Sequence, residues 1–132
     1  VFEVGAKDNE ERSALTAGEV LRYLEYSPED ITKVRGLILS TRMPTCPKDH
    51  LEQILCDADL DNLGCDDFFK KNEALRRELG LHDARYTISW YQQTLDFLTA
   101  HKYYTPSARQ MRQAGLDRNL MLVGKLLREV PL

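Results

Sequence analysis

The sequence predicts an all-α fold: a single bundle of about six helices. Three observations carry that prediction. Apolar residues recur at intervals of three and four along most of the chain, while the alternation expected of strands is nearly absent. Proline and glycine are sparse, and there is no repeat or low-complexity tract. Two of the periodic segments open on a hydroxyl residue followed by proline, at Ser27-Pro28 and Thr105-Pro106. A hydroxyl oxygen there accepts an orphan backbone N–H, and proline fits the first helical position, where no donor is needed.

In order, a first helix is expected from about Asn9 to Tyr26, with Ala14, Ala17, Leu21 and Leu24 on one face. A second begins after Ser27, has acids Glu29 and Asp30 in its first turn, turns Ile31, Val34 and Ile38 inward and runs to about Thr41. Two prolines make residues 43–47 a loop. A central helix spans about Asp49 to Asp61 and is broken at Gly64. Asp66 is placed to cap the next, which ends at Leu79 before Gly80. Ile88, Tyr91, Leu95 and Leu98 form one stripe of a fifth helix ending near His101. Met111, Leu116, Leu120, Val123 and Leu127 supply the apolar content of the sixth, which Gly115 and Gly124 weaken.

The 132 residues suffice for one domain with a real core, and 42% of them are apolar against 30% charged. A net charge of −3 argues against a nucleic-acid polymer or an anionic membrane as partner. No run reaches the length of a membrane span, and no signal peptide is expected from the opening residues. The three cysteines, Cys46, Cys56 and Cys65, lack zinc-ligand spacing and pair unevenly, so reduced thiols in a cytoplasm are expected. Lys70, Lys71, Arg76 and Arg77 read as a solvated helix face, and Trp90, Tyr91, Phe97, Tyr103 and Tyr104 as packing.

The unusual stretch is Leu51–Phe69, in which Asp57, Asp59, Asp61, Asp66 and Asp67 are threaded among Leu51, Ile54, Leu55, Leu60, Leu63, Phe68 and Phe69. A helix that carries a carboxylate into an apolar interior must satisfy it with a metal, a cation or hydrogen-bond donors. A calcium loop of EF-hand type fails: its sixth position, which needs glycine, is Asn62, and its twelfth, which needs glutamate, is Phe68. Asp59 shares the face of Leu51 and Leu55 and is the favoured inward carboxylate, with Asp57 on another azimuth. The competing reading makes Asp59 an internal cap or pairs it with Arg12 or Arg42.

Asn9-Glu10-Glu11-Arg12-Ser13-Ala14, then Leu37-Ile38-Leu39-Ser40-Thr41-Arg42, then Ile54-Leu55-Cys56-Asp57-Ala58-Asp59-Leu60-Asp61-Asn62-Leu63-Gly64 resemble, in that order, the later part of the HD superfamily of metal-dependent phosphohydrolases. The continuation Asp67-Phe68-Phe69 and the stretch Trp90–Tyr104 are similar to a bacterial branch of it. The resemblance implies an all-α domain over residues 1–132 that hydrolyses a phosphate ester, of a nucleotide or related small molecule, with metal-activated water. It places the family's last metal ligand at Asp59, with Asp57 the register alternative, and puts Glu10 beside the site. The divalent ion, Mn, Fe, Mg or Zn, is not specified. Arg12, Arg42 and Lys48 are candidates to hold the substrate's phosphate.

The family also shows an early His and a His-Asp pair, and Val1-Phe2-Glu3-Val4-Gly5-Ala6 contains neither, although Phe2 and Gly5 resemble residues flanking that pair. The expectation is a domain whose N-terminal part is incomplete here. His82-Asp83 spells the dipeptide in the wrong order relative to Asp59 and reads as a solvated loop. His50 reads as surface, and His101 as a cation at a helix C-terminus. The alternative function is a non-catalytic helical module for ligand sensing or protein association. A homo-oligomer is compatible with either.

Overall fold

The computed structural model describes residue 3 and residues 5–131, so the reading of Phe2 as a flank of the family's His-Asp pair lies outside the described residues. Six α-helices and no strand occur among them: α1 (Asn9–Tyr23), α2 (Pro28–Ser40), α3 (His50–Asp59), α4 (Phe68–Glu78), α5 (Thr87–Ala100) and α6 (Pro106–Glu129). Short 3-10 turns cover Asp61–Gly64 and Ala84–Tyr86. The fold is all-α, as the periodicity predicts. The helices fall into two compact units, residues 1–59 and 60–132. No described helix is long and apolar enough to cross a membrane.

In the first unit α1 packs along α2, and α2 against α3. Both expected caps form: Ser27 Oγ accepts the Asp30 N–H at 3.1 Å, and in the second unit Thr105 Oγ1 accepts the Ala108 N–H at 3.2 Å. Helix α1 stops earlier than Tyr26. The Tyr26 N–H donates to the Leu21 carbonyl and the Glu25 N–H to that of Arg22, closing a left-handed turn on Glu25 at φ 60°. Leu24, expected on the inner face, is the exposed C-cap just before Glu25. At the other end of α1 the buried Asn9 accepts the Glu3 N–H at 2.8 Å and donates to the Glu3 and Ala6 carbonyls at 2.9 and 3.2 Å, fastening the incoming chain to the helix.

The second unit is built on Leu63, Phe68, Leu98, Tyr103, Leu116 and Val123. Four expectations are corrected here. Asp66 does not cap α4: the N-cap is Asp67, whose side chain caps nothing, and Asp66 reaches Arg118 at 2.6 Å instead. Arg76 is not part of a solvated face. It is buried, and it donates to the Leu81 carbonyl at 2.8 Å and to Thr87 Oγ1 at 2.7 Å, pinning the connection that follows α4. Met111 is exposed, and the inner stripe of α6 runs instead through Ala108, Gly115, Leu116, Asn119 and Val123. Asn119 belongs to that stripe because its amide donates to the Leu63 and Cys65 carbonyls at 2.9 and 3.0 Å. The apolar stripe of α5 is likewise turned: Trp90, Thr94 and Leu98 are buried, while Ile88 is exposed.

Candidate functional site

Two of the carboxylates at issue lie on α3, the shortest α-helix among the described residues. Asp49 Oδ1 accepts the Glu52 N–H at 2.9 Å and Glu52 accepts the Lys48 N–H at 2.6 Å, a reciprocal cap that sets where the helix begins. The helix ends at Asp59 rather than Asp61. Its buried residues are Cys56 and Asp57, at 2% and 5% exposure. Cys56 Sγ donates to the Ser40 carbonyl at 3.2 Å, which docks this face on the C-terminal turn of α2. That anchor sets the azimuth of α3 and overturns the expected orientation. Asp57 points inward, whereas Leu51 and Asp59 lie on the open side.

Asp59 is nevertheless not an ordinary surface acid. Crowding by the surrounding chain raises its carboxyl above the usual range, and the negative charge of Glu10 raises it further. Asp59 is exposed, and water on the open side screens its charge and bounds that effect. Glu10, in the first turn of α1, thus lies within electrostatic reach of Asp59 at the end of α3.

Neither arginine proposed as a partner of Asp59 takes that role. Arg12 reaches Glu3 at 2.7 Å, and Arg42 pairs with Glu11. Arg42 also lines a cavity of about 530 Å³ in the first unit, together with Ser40, Met43, Cys46, Lys48 and Glu52. Arg42 and Lys48 come from the end of α2 and from the loop before α3, and the cis Met43–Pro44 turn lies between them. Arg12 is not part of its lining. The ammonium of Lys48 has no ion-pair partner among the described residues. The reciprocal cap that starts α3 therefore also fixes the backbone of one of the two cations at this cavity.

Among the described residues, no group of three or more His, Cys, Asp or Glu side chains is disposed to hold a metal ion. Glu10 and Asp59 offer hard oxygen donors of the kind divalent ions accept, but they do not make a metal centre by themselves. Of the histidines, His50 and His82 are exposed, and Asp83 caps the 3-10 turn that follows by accepting the Arg85 N–H at 3.0 Å. His101 is the C-cap of α5 and lies edge-on to Tyr103, with ring centroids 4.5 Å apart. All three cysteines are free: Cys46 is exposed, Cys56 buried and Cys65 between the two. No family model, curated protein or solved structure matches the chain.

Proposed function

We propose that the first unit handles a small phosphorylated molecule, and that it does so as the carboxylate-bearing part of a phosphohydrolase domain of the HD type. The observation that carries this reading is that Arg42 and Lys48, each a candidate phosphate ligand in sequence, line the same cavity. Two cations lining one cavity suit a phosphate better than a neutral ligand, because each forms charge-assisted hydrogen bonds to phosphate oxygens. The coupled acids Glu10 and Asp59, and the buried Asp57, belong to the same unit. A divalent ion, Mn, Fe, Mg or Zn, is part of the proposal, with Asp57 or Asp59 as one ligand. The described residues do not complete its coordination. Three free thiols fit a reducing, cytoplasmic setting.

The test is hydrolysis of p-nitrophenyl phosphate by the full-length gene product in Mn²⁺, with Asp57→Asn, Asp59→Asn and the double substitution Arg42→Gln/Lys48→Gln. Loss of turnover in an aspartate variant, and a raised KM in the Arg42/Lys48 variant, are the expected results. The second reading, a sensor that binds a phosphorylated ligand without cleaving it, is favoured by the lack of a three-donor group among the described residues. It predicts no turnover but AMP binding that weakens when Arg42 and Lys48 are neutralised. If neither turnover nor AMP binding depends on Arg42 and Lys48, both readings fall.

A further inference from the structure

The second unit holds a cavity of its own, about 440 Å³, between the Asp61–Gly64 turn, α4 and α5. That volume lies in the range of small-molecule sites. Leu63, Phe68, Leu75, Trp90 and Phe97 make most of its lining apolar and aromatic. Three carboxamides, Asn62, Asn72 and Gln93, stand among them.

These amides are uncommitted. Elsewhere in the same unit most amide side chains are engaged, the exposed Gln110 excepted. Gln92 donates to Asp96 at 2.9 Å, Gln113 to Asp117 at 2.9 Å, and Asn119 to two backbone carbonyls. Asn62, Asn72 and Gln93 make no side-chain hydrogen bond among the described residues, and Asn62 and Asn72 are half-buried. Trp90 is 7% exposed, and its indole N–H is buried without a hydrogen-bond partner. Polar groups withdrawn from water are ordinarily paired, and the half-buried Asn62 and Asn72 and the buried Trp90 N–H, unpaired round one apolar cavity whose lining also includes the exposed Gln93, mark a place where a ligand supplies the partners.

The lining also constrains the ligand. Its one charged side chain, Lys71, is held by Asp67 at 3.0 Å, so the cavity offers no free charge. A carboxamide presents a donor and an acceptor side by side, the pattern that matches the edge of a purine. Aromatic side chains offer faces for a flat ring to stack on. We propose that this cavity binds a neutral, planar heterocycle of purine size, read at its donor–acceptor edge by Asn72 and Gln93. The site is independent of the phosphate cavity of the first unit and does not rest on the hydrolase reading.

Trp90 is the only tryptophan of the chain, so a single indole N–H resonance reports on the cavity. The experiment is an adenosine titration of the ¹⁵N-labelled protein, followed at that resonance, with toluene as an apolar control. Saturable displacement by adenosine is expected. Gln93→Leu, at an exposed position that does not threaten folding, is expected to weaken it about fivefold, as is Asn72→Leu. No shift up to about 5 mM adenosine, where even weak millimolar binding would be visible, overturns the proposal. An adenosine affinity unchanged in the double variant overturns it as well, as does toluene binding tighter than adenosine.

Discussion

The carbonyl oxygen of Gly64 occupies the space that a Cβ on Gly115 would fill. The contact is reciprocal, since a Cβ on Gly64 would fall 2.5 Å from the carbonyl oxygen of Arg112, one turn back along α6. The 3-10 turn and α6 therefore meet backbone to backbone, and glycine is required on both sides. Because the obstacle is main chain, no rotamer change relieves it. Gly115→Ala and Gly64→Ala should each cost about 3 kcal/mol or more in urea unfolding, at the upper end of overpacking effects. Gly124→Ala is the internal control. Its Cβ would meet only the Arg128 guanidinium at 3.7 Å, so the better helix propensity of alanine should raise stability by about 0.5–1 kcal/mol.

This pair also shows what periodicity can and cannot convey. Gly64 as a helix breaker and Gly115 as a flaw in α6 are both legible in sequence, but their contact is not, because it joins residues 51 positions apart and has no side-chain pattern. The helices, and the caps at Ser27 and Thr105, were legible because each depends on neighbours within four residues. The azimuth of α3 was not. Counting fours from Leu51 favours Asp59, yet the Cys56–Ser40 contact turns Asp57 inward. Asn9, Arg76 and Asn119 were missed as buried residues for a related reason. Each is a polar side chain buried by the carbonyls it binds, and those partners come from loops whose course the sequence does not reveal. At the candidate site, the sequence singled out Arg42 and Lys48 separately, and only the fold brings them to one cavity.

Glu25 occupies a left-handed turn, φ 60°, that favours glycine after α1. Glu25→Gly removes the Cβ strain at the cost of some unfolded-chain entropy. A net gain of about 0.5–1 kcal/mol in urea unfolding is expected, with Glu25→Ala giving none of it.

Asp61 accepts two hydrogen bonds from Arg112, at 2.6 and 3.0 Å. That contact lowers the Asp61 carboxyl below its usual value near 3.8. A depressed acid stabilises the fold above its unfolded pKa, and the contribution is lost as pH falls through the folded value. Asp61→Asn should therefore lower the Tm at pH 7 but leave it nearly unchanged at pH 2, in thermal melts across that range. The opposite result, a loss confined to acid, would mean that Arg112 is not its partner in solution.

Tyr103 is 2% exposed, its hydroxyl donates to the Leu60 carbonyl at 3.4 Å, and burial pushes its phenol up to about 12. For an acid raised in the fold, ionisation is easier in the unfolded chain, so stability drains away as pH climbs past the unfolded value of 10. Absorbance titration at 295 nm should show one late phenolate step near 12. Tyr103→Phe should abolish that step and flatten the alkaline fall in Tm.

Asp57 and Asp59 are two residues apart on α3 and should respond oppositely to the same substitution. Asp59 carries a carboxyl raised by crowding and by Glu10, so its ionised form opposes folding at neutral pH. The penalty is absent below the unfolded value of 3.8 and reaches its full size above the raised folded value. Asp59→Asn should therefore raise the Tm at pH 7 and leave it unchanged at pH 3. Asp57, at 5% exposure, is a buried acid whose interactions an amide reproduces only in part, so Asp57→Asn should cost about 2 kcal/mol at pH 7. A neutral-pH gain at position 57 and a loss at position 59 would mean that Asp59, not Asp57, is the inward-facing acid in solution. The register alternative of the metal proposal would then revert to the one the periodicity favours.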